Sequence, residues 1–413
     1  MLSEKEKFES IATLGIELNQ INDLDILLER VLFRARQWVN ADAGSIYIRD
    51  TDQLDFVYTQ NDTLQSQLTK GEKLIYSTFS IPIDDKSIAG YVALTGKTLN
   101  IPDVYHLPKD VSYHFSSQFD DATGYKTTSV LTIPLKTTSD EILGILQIIN
   151  AQDNANNVVS FSSDDEKMMY HFAGIAAIAL ERARLTRSII MRMIKMAELR
   201  DPKETGAHVN RVGSYSVELY DKWARRRKIP REERDKIRDV LRMAAMLHDV
   251  GKIATSDVIL KKPGPLTDVE FEIMKQHTIH GARLFVEKQS EIDEAAGIVA
   301  LNHHERWDGS RRGYPGHVEM ATGKPIKGKT LENGLARPKK GEEIPIFGRI
   351  VALADVYDAL SSARCYKEPW DEDKVLRIIR EESGRQFDPE LVEIFLEILD
   401  TMRSIRERYP SPD

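Results

Sequence analysis

Hydrophobic positions follow two different rhythms along the chain. Up to about residue 162 they mix a helical spacing with a strand-like one. Residues 24–39 (LDILLERVLFRARQWV) place apolar side chains at helical intervals, which predicts an amphipathic helix. AGSIYIRD (43–50), TSVLTIPLK (128–136) and ILGILQIIN (142–150) read as strands. Two short proline-containing stretches between them, IPID and NIPDV, read as turns. The pattern is that of an antiparallel α+β domain. From Ser163 to about Arg200 a single helical rhythm takes over. It opens on FSSDDE, a capping residue followed by acids in the first turn. Met168, Phe172, Ile175, Ala179, Arg182, Thr186, Ile189, Met193 and Met196 alternate steps of four and three. That is a heptad seam, read as a dimer contact along 163–200, with packing on the helix's own domain as the other reading. After Asp201 the chain reads as mostly helical, except for a Gly-, Pro- and Lys-rich stretch over 305–345.

The predicted organisation is therefore an α+β domain over 1–162, a connecting helix over 163–200 and an all-α domain over 201–413. With 413 residues the chain is long enough for a sizeable core in each domain. A net charge of −8 argues against general binding to DNA or RNA, which relies on basic surface. The single cysteine, Cys365, can form no internal disulfide and fits a reducing cytoplasm. The charged start MLSEKEKFES lacks the apolar core of a signal peptide, and no apolar run approaches the ~18 residues of a membrane span.

Chemistry is concentrated in the second half, where seven of the ten histidines fall between 208 and 317. Glu204 and His208 lie four apart, on one face of a helix begun by Pro202. His248 and Asp249 close the apolar run MAAMLHDVGKIA; near a helix end both can face one pocket. His277 and His280 follow in KQHTIHGA, then His303-His304-Glu305 in VALNHHERWDG, and Asp355 with Asp358 inside GRIVALADVYDAL. A buried acid in such a setting needs a cation. Each feature alone is more often structural. Five histidines and three carboxylates, each in an apolar or helix-end context, are hard to assign to structure alone. Nitrogen and oxygen donors without thiolates suit iron, manganese or another divalent metal. Eight ligands imply two or three ions.

These residues resemble the HD-GYP family of the HD phosphohydrolase superfamily over about 196–400. The resemblance rests on ETGAHVNRV (204–212), HDVGKI (248–253), HTIHGA (277–282), HHERWDG followed by GYP (303–315), ADVYDALSSARCYK (354–367) and GRQFDPELV (384–392). It implies an all-helical domain that hydrolyses a cyclic dinucleotide, cyclic di-GMP in the first place, with Glu204, His208, His248, Asp249, His277, His303, His304 and Asp355 as metal ligands. Glu204 resembles the three-metal type. Asp249 would stand beside the attacking water, Lys252, Arg364 and Lys367 would hold substrate phosphates, and Tyr314 would lie near a base. His280 matches no ligand position. The chain departs from the family in two places. Arg311 and Arg312 stand between DGS and GYP, and an extra segment over 317–340 carries Lys324, Lys327, Lys329, Arg337, Lys339 and Lys340 against Glu319 and Glu332. That segment reads either as a solvated loop or as a basic rim drawing in an anionic substrate. The altered lip leaves a mixed cyclic GMP-AMP open as substrate. A dinucleotide-binding module without catalysis, and a nucleotide or (p)ppGpp hydrolase of the wider superfamily, are further alternatives.

The N-terminal part resembles a GAF domain through ADAGSIYIRD (41–50), SIAGYVALTGKTLNIPDV (87–104), TSVLTIPLK and GILQIIN (144–150). The resemblance implies a small-molecule sensor with an unnamed ligand. Asn150, Phe161 and Asp165-Glu166 match part of a cyclic-nucleotide motif, but Ala151 stands where a lysine is expected. With no cysteine in this region, a cysteine-attached tetrapyrrole is excluded. The whole implies a cytoplasmic homodimer in which the sensor acts on the enzyme through the 163–200 helix, with no DNA and no membrane as partner.

Overall fold

The strand predicted over 43–50 becomes β1 (Ala41–Asp50), near the middle of a seven-stranded, wholly antiparallel sheet. The computed structural model describes residues 13–67, 79–198, 206–362 and 370–410. It divides into two compact units, 1–187 and 188–413.

In the first unit β2 (Gln53–Asn61), β3 (Ser80–Pro82), β4 (Leu99–Ile101), β5 (Val130–Lys136) and β6 (Ile142–Gln152) join β1 in the order β3-β2-β1-β6-β5-β4, and β7 (Val158–Val159) pairs with β6. Ile46 lies opposite Leu146 and Leu146 opposite Ile133, so one face is continuous apolar surface. Helix α1 (Leu24–Trp38) covers it with Leu27, Leu28, Val31 and Leu32. The Asp23 side chain starts α1 by accepting from the amides of Asp25 and Ile26. The other face carries Tyr47, Leu54, Phe56 and Ile145 against Ala89, Val92 and Ala93 of α2 (Ile88–Thr95). Both IPID and NIPDV begin or end short edge strands, β3 and β4, rather than forming turns. Proline lacks an amide to donate, so an edge is where a sheet tolerates it.

Helix α3 (Ser163–Glu198) is one element, as its rhythm predicts. The first half of the heptad series packs on the helix's own unit, the second of the two readings. Phe172 and Ala179 are fully buried against the unit's own sheet and α1, beside Met169, Ala176, Leu180 and Ala183. Arg182 is tied to Asn22 and to the carbonyl of Ile21. The exposed apolar residues are Tyr170, Ile178 and Leu185, outside the heptad series, and Ile189 and Met196 at its far end. A helix apolar on two sides satisfies several four–three series, and periodicity does not say which one meets the sheet.

The second unit is helical. Val212, Tyr215 and Leu219 of α4 (Gly206–Arg226), Leu241 and Ala244 of α5 (Arg231–Met246), Val299 of α7 (Glu291–Asn302), Ile350 and Leu353 of α8 (Ile346–Ser361) and Phe395 of α9 (Pro389–Glu397) share one core. A short helix, α6 (His277–Arg283), precedes α7. Residues 317–340 contain no helix but are ordered. Val318 bridges to Pro325 and Thr330 to Ala336, and Val318, Met320 and Ala336 pack on Ile279, Ala282, Ala300 and Leu301. Among the described residues no helix is long and apolar enough to cross a membrane.

Candidate metal centre

Every histidine of the cluster stands at a helix end or in its first turn, where the backbone turns sharply enough to aim a ring inward. His208 is in the first turn of α4, and His277 begins α6. His303 and His304 follow the last residue of α7. His248 and Asp249 lie in the turn between the end of α5 and a short 3-10 helix, Val250–Ala254. Asp355 is the exception, one turn before Asp358 within α8. Two glycines allow the approach. A Cβ on Gly251 would sit 2.0 Å from the carbonyl oxygen of His277, and one on Gly348 2.6 Å from Cβ of Asn302.

The donor atoms form two adjoining groups. Asp249, His277, His303 and His304 make one; His208, His248 and Asp355 make the other, and within each the donor atoms lie within 4.8 Å of one another. Asp249 faces both. Its Oδ1 lies 3.2 Å from Nε2 of His277 and 3.5 Å from Nε2 of His303, while its Oδ2 lies 3.2 Å from Nε2 of His248. Nε2 of His208 and of His248 lie 3.6 and 3.9 Å from Oδ1 of Asp355.

The tautomers follow from the other ring nitrogens. Nδ1 of His248 meets the carbonyl oxygen of Ala245 at 2.8 Å, and Nδ1 of His277 that of Met274 at 2.7 Å. Nδ1 of His303 meets the carbonyls of Val299 and Ala300 at 3.1 and 3.0 Å. A carbonyl only accepts, so each Nδ1 carries a proton and each ring turns its Nε2 to the pocket. His208 reaches the same state through Asp358, whose Oδ2 is 2.8 Å from its Nδ1. Asp358 in turn accepts from Arg211, Nε to Oδ1 at 2.6 Å and Nη2 to Oδ2 at 2.8 Å. Burial drives the Asp358 carboxyl up, but His208 and Arg211 outweigh it and hold the group ionised.

Charge favours a cation. Burial pushes the Asp249 carboxyl up, yet Lys252, at 2.8 Å from Oδ2, and the imidazoles of His248 and His277 hold it well below the usual carboxylate range. Burial keeps His303 and, more strongly, His304 below the usual histidine range and therefore neutral. Nε2 of His277 and Nε2 of His303 stand 3.5 Å apart, and both approach Oδ1 of Asp249. Two imidazole nitrogens converging on one carboxylate oxygen suit a divalent ion of the iron, manganese or zinc type. The donor set fits the metal.

The remaining predicted residues are placed as follows. Tyr314 lies with its ring 4.8 Å from that of His304, tilted by 31°. Burial, with the charge of Asp249, raises its hydroxyl pKa, so the phenol stays protonated. Arg311 and Arg312 are exposed. His280 is half-buried on α6 and belongs to neither donor group. Glu204, Arg364 and Lys367 lie outside the described residues. Of the bases over 317–340, Arg337 pairs with Glu343 at 2.6 Å, and Lys329 approaches the same carboxylate at 3.7 Å. Lys339 is turned inward, donating to Oδ1 of Asn302 at 2.6 Å and 3.6 Å from Oε1 of Glu305. Only Lys324, Lys327 and Lys340 remain exposed, so the segment is much less of a basic rim than its composition implies. Asp358, Arg211 and Glu305 are the contributors that motif spacing does not assign. Their signal in the sequence is the acid one turn after Asp355 and the arginine one turn after His208.

Residues 205–360 match the sequence model of the HD domain, and residues 23–180 that of the GAF domain. The 3'3'-cGAMP-specific phosphodiesterase 2 of Vibrio cholerae is 36% identical over 225 residues, covering 54% of this chain and 37% of the relative. A cyclic di-GMP phosphodiesterase of the same organism is 37% identical over 232 residues, 55% of this chain and 42% of the relative. A cyclic di-GMP phosphodiesterase of Thermotoga maritima is 38% identical over 218 residues, 53% of this chain and 50% of the relative. The chain thus spans half or less of the length of these curated relatives.

Proposed function

We propose that this chain, a GAF domain followed by an HD domain, is a metal-dependent phosphodiesterase of the HD-GYP type that opens a cyclic dinucleotide, cyclic di-GMP above all. The observation that carries the reading is the convergence of Nε2 atoms from His208, His248, His277 and His303 on Asp249 and Asp355, with every Nδ1 held from behind. His208, His248 and Asp355 would hold one ion, and His277, His303 and His304 a second. Asp249 would lie between them, and Glu204 is the candidate ligand of a third. Iron or manganese suits these donors, and such ions supply Lewis acidity toward phosphate oxygens and water.

The chain's own groups do the rest. Hydrolysis breaks one P–O3′ bond of the ring, joins the oxygen of water to phosphorus and leaves a proton on the 3′ oxygen. Lys252, held on Asp249, adds positive charge beside the phosphate. Arg311 and Arg312, with Arg364 and Lys367, attract and orient the dianionic ring. Tyr314 offers a ring face at the lip for a base. The product is a linear dinucleotide, open to a second cut to GMP.

A preference for 3',3'-cyclic GMP-AMP is the second reading, supported by the Vibrio cholerae relative of that specificity and by the unusual lip at 311–340. Manganese- or iron-loaded protein incubated with each cyclic dinucleotide separates the two, with products resolved by chromatography. Cleavage mainly of cyclic di-GMP supports the first, and cleavage mainly of the GMP-AMP ring supports the second. Cleavage of neither, with metal bound, leaves a binding module and sinks both.

For regulation, a small ligand of the GAF domain would act on a homodimer joined along α3 through the open stripe of Ile178, 47% exposed, and Leu185, 61% exposed. The single cysteine is compatible with the reducing cytoplasm in which we place it. Ile178→Glu/Leu185→Glu is expected to convert the dimer to monomer in light scattering. Phe172→Glu would instead unfold the first unit. A dimer that survives the double substitution would rule the stripe out.

A further inference from the structure

The inserted lobe at 317–340 is fastened to the helices that carry the histidines. Its apolar side chains sit on α6 and α7. Arg283 of α6 donates Nε to the carbonyl of Ala321 at 3.1 Å and Nη2 to that of Thr322. His317 N–H bonds to the carbonyl of Arg337 at 2.9 Å, closing the lobe at its base. Lys339 leaves that base and runs inward, its side chain 11% exposed, to Asn302 and Glu305.

Glu305 is the next link. It follows His304, yet its carboxylate turns away from the cluster. Oε1 accepts the N–H of Gly316 at 2.7 Å, and the side chain is fully enclosed. Tyr314 N–H bonds to the carbonyl of His304 at 3.2 Å. The turn Tyr314-Pro315-Gly316 is therefore pinned at both ends to the segment bearing His303 and His304. Its far pin is a buried carboxylate whose nearby cation is Lys339. An enclosed carboxylate without a counter-charge would relax outward toward water, and the Gly316 amide would then lose its acceptor.

We propose that Lys339 is a positioning residue: the lobe delivers its ammonium to Glu305, and this pair fixes the 314–316 turn and so the place of the Tyr314 ring over His304. The lobe is then a buttress for the substrate lip and not a phosphate-collecting rim. The proposal rests on the reading of Tyr314 as a contact for the base.

The test uses the full chain loaded with manganese. Lys339→Met keeps length and removes charge. Its expected signature is faster amide hydrogen exchange at 314–317, by about tenfold, with protection of 296–301 unchanged. KM for the cyclic dinucleotide should rise about tenfold, with kcat within about twofold and metal content constant. In a Tyr314→Ala background the same substitution should add nothing to KM. Glu305→Gln/Lys339→Met, which removes both charges, should restore the melting temperature if Lys339→Met lowers it. Unchanged exchange at 314–317 would overturn the proposal, as would a KM effect that adds to that of Tyr314→Ala or a parallel loss of metal. If the wild-type protein cleaves no cyclic dinucleotide, the functional reading fails, and the exchange experiment still decides the role of Lys339.

Discussion

Asp249→Ala is expected to reduce turnover of the cyclic dinucleotide by on the order of a thousandfold or more, and His248→Ala/Asp249→Ala to abolish it. Among the described residues, Asp249 is the one side chain that faces both donor groups, through Oδ1 to His277 and His303 and through Oδ2 to His248. Its loss removes a ligand from each proposed ion at once. The Lewis-acid contribution of such an ion amounts to several kcal/mol, and about 4 kcal/mol is a factor of about a thousand. The variant also leaves Lys252 in a pocket of neutral rings without the carboxylate it sits on at 2.8 Å, which further disfavours a cation nearby. The check is single-turnover hydrolysis together with metal content by elemental analysis. Retention of both activity and two ions per chain would remove Asp249 from the centre.

Asp358→Asn should have the largest effect on stability of any substitution outside the ligands themselves. The carboxylate is 1% exposed and takes three charge-assisted bonds, two from Arg211 and one from Nδ1 of His208. Asparagine is the same size but neutral, and its amide N–H₂ would face donors. Breaking a buried pair from one side costs about 3–5 kcal/mol, because the guanidinium remains behind uncompensated. Loss of the partner that sets a ligating histidine's tautomer typically weakens metal binding by about 10–100-fold. Denaturant unfolding and a metal titration, both below the variant's melting temperature, measure the two effects. A stable variant with wild-type metal affinity would show that His208 needs no fixing from behind.

Much of the site was legible because its chemistry is written in adjacent or near-adjacent letters. His248 and Asp249 end an apolar run, which places both at a helix terminus, and that is where they lie. What the sequence does not carry is who stands behind them. The Nδ1 partners of His248, His277 and His303 are main-chain carbonyls, which every residue possesses, so no residue type betrays them. Asp355 and Asp358 look equivalent as two acids in an apolar helix, each in need of a cation. Only the fold shows that Arg211 supplies one of them while the other faces the pocket. The sequence left the 317–340 lobe open between a solvated loop and a basic rim for a related reason. Counting its lysines says nothing of Glu343 and Glu305, which lie outside the segment and neutralise or capture them. On α3 the burial of Phe172 and Ala179 moves the open stripe because apolar residues occupy more than one side of the helix.

The way the imidazoles are aimed bears on how such a protein can change over generations. Each of His248, His277 and His303 is oriented by a carbonyl three or four residues earlier in its own segment. The aiming travels with the segment and asks nothing of the chain between one ligand and the next. A lineage can therefore lengthen the stretch from His304 to Asp355, try a new lip and discard it, while the reactive centre keeps its shape. The insertion can then vary without re-aiming these three rings.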